Sequence, residues 1–217
     1  MLLSHRYKFL YVHIAKTGGT SMRAALGSLR WKDPMYYLMF PCHKLSSATE
    51  HTIATKLPRH AGAIAAKEML PKSFYDELFK FAVVRNPWDL QVSSFHHVQR
   101  ERPEMMNGIT DFNEYLRYKF DPSRPFLYHI DITTKLQTDH FLDLQGNMIV
   151  DFVGRYESLE EDVEIIRKKI GLRKLSLPRK RVAKERKKDY RSYYSDESAA
   201  MIADRYARDI DLLGYKF

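Results

Sequence analysis

Apolar and polar positions along the chain alternate between two periods. The run Phe9 to Ile14 is short, continuous and rich in β-formers, and predicts a buried strand. Small residues follow from Ala15 to Ser21, and then Met22, Ala25, Leu26 and Leu29 recur at helical spacing. Strand, glycine loop and helix make the first unit. Pro34, Pro41 and Pro58 are expected to break the stretch Tyr36 to Leu57 into pieces. Ala61 to Leu70 reads as a helix stopped by Pro71, with a short helical turn over Phe74 to Phe79. Phe81 to Val84 is a second buried strand. Pro87 then suits the first turn of a helix running to Arg100. Asp111, with Glu114 three residues on, starts a helix to Phe120. Ile149 to Val153 is a third strand. Ser158 and Glu161 form a capping-box pattern ahead of Leu159, Val163, Ile166 and Ile170, with Gly171 as the stop. A last helix starts near Ser195 and buries Ile202, Ala203, Tyr206, Ile210 and Leu213. Strands alternating with helices predict an α/β fold of three layers, a mainly parallel central sheet flanked by helices.

Composition narrows this picture without changing it. The 217 residues, 44% hydrophobic and 29% charged, suit one globular domain spanning 1–217. No apolar run is long enough to span a membrane or to serve as a secretory signal. The single cysteine, Cys42, excludes a disulfide framework and a Cys-rich zinc site. A soluble protein of a reducing compartment is expected. The net charge of +9 is local: 13 of the 36 Lys and Arg lie between Arg167 and Arg191, against two acids. Such a run is a solvated face or it meets an anion.

Two stretches carry the candidate chemistry. The first is Ile14-Ala-Lys-Thr-Gly-Gly-Thr-Ser-Met22. Gly18 and Gly19 let the backbone turn tightly and approach a ligand, and the start of the next helix offers N–H groups to a phosphate or sulfate. Thr17, Thr20 and Ser21 add hydroxyls, and Lys16 a positive charge. The order excludes the usual ATPase loop, G-x-x-x-x-G-K-[ST], because Lys16 precedes the glycines and none follows. The second stretch, Phe81 to Phe95, puts Arg85 at the C-terminal end of a strand and Ser93 eight residues later on a helix. Ligands of open α/β sheets bind beyond those strand ends, where a guanidinium fork matches a phosphate.

Together these stretches resemble the sulfotransferases that use 3′-phosphoadenosine-5′-phosphosulfate (PAPS). The likeness is to the carbohydrate branch, with its heparan sulfate 2-O- and chondroitin-type enzymes and bacterial relatives. YVHIAKTGGTSM is similar to that family's 5′-phosphosulfate loop, and FAVVRNPWDLQVSSF to its 3′-phosphate motif. VDFVGRYESLEED and the ending from Tyr190 to Phe217 are also family-like. The segment Arg179-Lys180-Arg181-Val182 lacks the glycine that many members place after a basic residue in the loop closing on the 3′-phosphate.

The resemblance implies PAPS as donor, no metal, and a hydroxyl-bearing acceptor, a glycan or glycoconjugate. It implies Lys16 at the leaving phosphate and the backbone of Gly18, Gly19 and Thr20, with Thr17 and Ser21, around the 5′-phosphate. Arg85, Ser93 and the basic residues Arg179, Lys180 and Arg181 would meet the 3′-phosphate. Of nine histidines, His60 is the candidate general base, since it precedes a helix as a functional histidine does in carbohydrate-type relatives. His13, inside the first strand, reads as structural, and His96 and His97 are weaker candidates. Golgi relatives in animals carry a membrane anchor, which this sequence lacks; a complete chain is expected to be a cytoplasmic enzyme of bacterial type, and a trimmed luminal domain would look similar. Two other readings stay open: an ATP-dependent phosphotransferase, and a non-catalytic polyanion- or nucleic-acid-binding protein that uses the basic segment.

Overall fold

A computed structural model describes residues 1–49, 56–178, 186–187 and 189–217. The chain opens with two short strands, β1 (Leu2–Ser4) and β2 (Phe9–Val12), followed by α1 (Gly19–Gly27) and a 3-10 turn over Ser28–Lys32. Then come α2 (Pro34–Thr49), α3 (Ala63–Met69), α4 (Lys72–Glu77) and β3 (Phe79–Val84). Next are α5 (Pro87–Glu101), α6 (Phe112–Phe120), α7 (Tyr128–Asp131) and β4 (Phe152–Arg155). The chain ends on α8 (Leu159–Lys169), α9 (Asp196–Arg205) and α10 (Ala207–Leu213). The sheet order is β1-β2-β3-β4, with β1 antiparallel to β2 and the other pairs parallel. This is the expected α/β architecture, a mainly parallel sheet flanked by helices.

The described residues form two compact units, the first within Met1–Ile14, Gly18–Val84 and His140–Lys180, the second within Ala15–Thr17, Arg85–Asp139 and Arg181–Phe217. In the first, strand register stacks aromatic side chains on one face of the sheet. Phe9 pairs with Phe79, Tyr11 with Phe81, and Phe81 with Phe152. The Tyr11 and Phe81 rings lie 5.3 Å apart. Met22 and Leu26 of α1 and Val163 and Ile166 of α8 cover this face, which excludes water from the ladder.

The second unit is built around α5. Asn86 caps it by accepting from the Trp88 and Asp89 amides, and Pro87 fills its first position, as its sequence predicts. Val92, Phe95 and Val98 pack with Phe112, Tyr115 and Leu116 of α6 and with Ile202 and Tyr206. A polar cluster sits inside this core. Lys119 donates to Gln91 Oε1 and Thr133 Oγ1, both at 2.6 Å, and burial holds its amine well below the ordinary lysine pKa.

Several sequence expectations need correction. β1 was not expected; at three residues it shows no periodicity. Pro41 does not break its stretch but lies inside α2. It removes one helix bond, to the carbonyl of Tyr37, and that residue is exposed, so water can replace the bond. The third strand starts at Phe152, not Ile149, because the Ile149 amide instead donates to Phe141 O at 3.0 Å. The Ser158–Glu161 box does not form. Ser158 Oγ donates at 3.0 Å to Asp162, which also accepts the Arg155 amide. The last helix is two, interrupted at Tyr206, whose hydroxyl is fixed to Thr133 O and Gln91.

Asp209 of α10 is fully buried and accepts from the amides of Gln137 and Thr138 and from the Thr138 hydroxyl, at 2.7–3.0 Å. Replacing it by alanine leaves two buried N–H groups without their acceptor. We expect Asp209→Ala to lose about 2–4 kcal/mol in urea unfolding and Asp209→Asn to lose less. A loss below about 0.5 kcal/mol for the alanine variant, the range of surface changes, would mean that the carboxylate does not hold this segment.

Candidate active site

The glycine loop follows β2, and each of its glycines has its own reason. Gly18 caps α1 in the left-handed region at φ 80°, where a side chain is strained. Gly19, the first residue of α1, is under no such constraint; a Cβ there would fall 1.7 Å from His13 Nε2. The close approach that demands glycine at 19 is therefore to the His13 imidazole, whereas the sequence suggested a ligand. The amides of Ser21 and Met22 already bond to Gly18 O at 3.0 and 3.1 Å. The first turn of α1 has no side-chain cap and no acid, which leaves its positive end available to an anion. Thr20 is exposed and Ser21 nearly buried.

In the same unit, His60 lies just ahead of α3. Its ring centroid is 4.4 Å from that of His13. His60 Nδ1 is 3.0 Å from the His13 carbonyl oxygen. A carbonyl only accepts, so Nδ1 carries the proton and Nε2 holds the lone pair. Burial pushes the His60 pKa down to about 4, although the bond to the His13 carbonyl opposes it. His13 is pushed further, to about 2, by burial first and then by the neighbouring His60. Both imidazoles are neutral at pH 7. His13 is buried, and its Nδ1 has no hydrogen-bond partner among the described residues.

The second unit holds Lys16, Thr17, Arg85 and Ser93. Lys16 takes a left-handed backbone, φ 66°, unusual for a residue with a side chain. Its carbonyl accepts from Arg85 Nη1 at 2.9 Å, so the two motifs are joined by a direct bond. Thr17 is fully buried. Arg85 follows β3 and is almost fully buried; its Nε donates to Asp89 Oδ2 at 2.7 Å. Gln137 brackets the Arg85 backbone, accepting its amide at 2.9 Å and donating to its carbonyl at 2.8 Å. Ser93 is half-buried on α5. His96 is tied to the Tyr193 hydroxyl at 2.8 Å.

Sequence reasoning missed Arg186. Its guanidinium pairs with the second oxygen of Asp89, so two arginines share one buried carboxylate. Burial, and then the Arg85 charge, push its pKa down to about 10. Thirteen cations crowd the basic segment, and nothing in their order distinguishes this one. Arg179, Lys180 and Arg181, the residues singled out there, lie outside the described residues.

The whole chain from 1 to 216 matches the sulfotransferase family. Carbohydrate sulfotransferase 10 of Xenopus laevis is 22% identical over 254 aligned positions, which take in all of this chain and 67% of that protein. An uncharacterized protein of Archaeoglobus fulgidus is 33% identical over 103 positions, 46% of this chain and 74% of its own length. No solved structure matches. A likeness that begins in the β1–β2 hairpin and continues past the last helix makes this chain a member of the sulfotransferase family and an enzyme of sulfuryl transfer.

Proposed function

We propose that the enzyme moves the sulfuryl group of PAPS onto a hydroxyl of a carbohydrate. The observation that carries this reading is the bond from Arg85 to the Lys16 carbonyl, which ties the strand-end cation to the lysine of the glycine loop. Two further features support a nucleotide bearing phosphates at both its 3′ and 5′ positions. Arg85 and Arg186 together exceed the charge of Asp89, and the α1 N-terminus carries no acid. The likeness to a protein named for carbohydrate sulfation supports the acceptor class.

In this reading the amides of Gly18, Gly19 and Thr20 and the Ser21 hydroxyl hold the 5′-phosphate. Thr17, being buried, shapes the loop from inside. Arg85, Arg186 and Ser93 hold the 3′-phosphate, with Arg179, Lys180 and Arg181 as further cations. PAPS supplies a sulfuryl group already attached to a good phosphate leaving group. His60 Nε2 takes the acceptor's proton as the hydroxyl oxygen bonds to sulfur. Lys16 meets the negative charge that collects on the bridging oxygen when the sulfur–oxygen bond to phosphate breaks. An imidazole of low pKa is a weak base; the negative charges of the donor favour its protonated form and raise it toward the working range.

Three outcomes are expected. In thermal melts, 3′-phosphoadenosine-5′-phosphate (PAP) should stabilise the protein more than AMP or ATP, and Arg186→Ala should weaken PAP by about 1.5–3 kcal/mol while leaving AMP unaffected. Equal stabilisation by AMP and PAP would remove the 3′-phosphate assignment.

Lys16→Ala should lower kcat by about 10²–10³-fold with KM for PAPS changed only a few-fold, since the ammonium acts on charge present only in the transition state. The reverse pattern, an intact kcat with a raised KM, would make Lys16 a binding residue.

His60→Ala should cut kcat at least about tenfold with PAP affinity intact. In the free wild-type enzyme, kcat/KM should stay level from neutral pH downward and fall through a midpoint near 4, where His60 protonates. The variant should lack that limb. Folding itself depresses this pKa, so the stability it contributes is complete above about pH 6.5 and declines as the pH drops toward 4. Circular dichroism at each pH separates unfolding from loss of the base.

A further inference from the structure

Within the first unit, α2 leans over a cleft of about 1330 Å³, larger than the roughly 300–1,000 Å³ of an ordinary small-molecule site. The residues of α2 from Met35 to Phe40 are apolar on every side, yet no residue of the helix is fully buried. A helix apolar all round is normally covered. Here Tyr36, Met39 and Phe40 line the cleft, while Leu38 is 63% exposed and Trp31, just before the helix, 56%. The cleft also holds Arg23, Arg30, Lys44 and Lys56. Asp33, the one acid among its described lining residues, is engaged by the Ser4 hydroxyl and by the amides of His5, Arg6 and Met35. Arg30 rests over the Trp31 and Tyr36 rings and Lys44 over Phe40, so cation and apolar surface adjoin at each point. A second copy of the chain across a two-fold axis would set these cations against their own counterparts.

We propose that this cleft binds an anionic lipid, one molecule at a time. Its headgroup meets Arg23, Arg30 and Lys44, and its hydrocarbon lies along Met39, Phe40 and Met69, where methionines adapt to a flexible chain. Lys56 and Leu57 of the cleft wall stand only a few residues before His60 in the chain. Resting on the reading of His60 as base toward a carbohydrate hydroxyl, a sugar carried on the lipid headgroup would present the acceptor hydroxyl; the binding itself does not need that reading.

The test uses dihexanoylphosphatidylglycerol below its micelle concentration and follows tryptophan emission. Trp31 is exposed and Trp88 buried, so a Trp31→Phe control assigns the signal. We expect a saturable blue shift, with affinity about tenfold or more lower for dihexanoylphosphatidylcholine and for glycerol phosphate, which remove the net charge and the tails respectively. Arg30→Glu with Lys44→Glu should weaken binding about tenfold, and so should Phe40→Asp. Equal binding of the two lipids, or indifference to both variants, overturns the proposal. So does binding to phosphatidylglycerol vesicles without binding of the monomer, or a protein dimer that hides Trp31 with no lipid present. PAP melts on the same samples keep the two readings apart: PAP stabilisation without lipid binding sinks the lipid site alone, and lipid binding without PAP stabilisation sinks the nucleotide assignment alone.

Discussion

A buried polar chain sets the glycine loop's lysine in place. It starts at the carboxylate of Asp209, which fixes the amides of Gln137 and Thr138. Gln137 brackets the backbone of Arg85 from both sides, and Arg85 reaches the carbonyl of Lys16. Each link is short, buried or partly buried, and made by a group that would be costly to leave without its partner. The guanidinium is therefore held by its backbone before its side chain meets anything. Because Asp89 also receives Arg186, positive charge gathers on one carboxylate that cannot neutralise it all. Fixed cations of this kind need no rearrangement to meet developing negative charge, which is where preorganised electrostatics contributes most.

Burial decides the protonation of the two histidines beside the loop. A carbonyl orients the His60 ring, and low polarity keeps both rings uncharged. The same burial that makes His60 a weak base on its own makes it responsive to any negative charge placed nearby.

Much of the frame was legible in the sequence because the signals were long or chemically distinct. Phe9 to Val12 and Phe81 to Val84 are unbroken apolar runs, and Pro87 marks a helix start. Lys16 and Arg85 were legible as members of motifs. What escaped depends on partners that the local pattern does not single out. β1 exists only through its pairing with β2, and the capping role of Ser158 was lost to Asp162. The His60 tautomer is set by a carbonyl 47 residues earlier. Arg186 looks like its neighbours until Asp89, 97 residues away, selects it. Continuity of α2 through Pro41 depends on solvent exposure, which the local sequence does not reveal.

The contact between Gly19 and His13 makes the glycine loop dependent on a residue outside it. A Cβ at 19 and an imidazole at 13 cannot occupy the same space. A chain carrying alanine at 19 needs a shorter side chain at 13, and shortening 13 withdraws the ring that packs against His60. The two positions therefore form one unit of inheritance: the loop cannot be grafted onto another strand end as Gly-Gly alone, and designs that transplant it have to bring position 13 along.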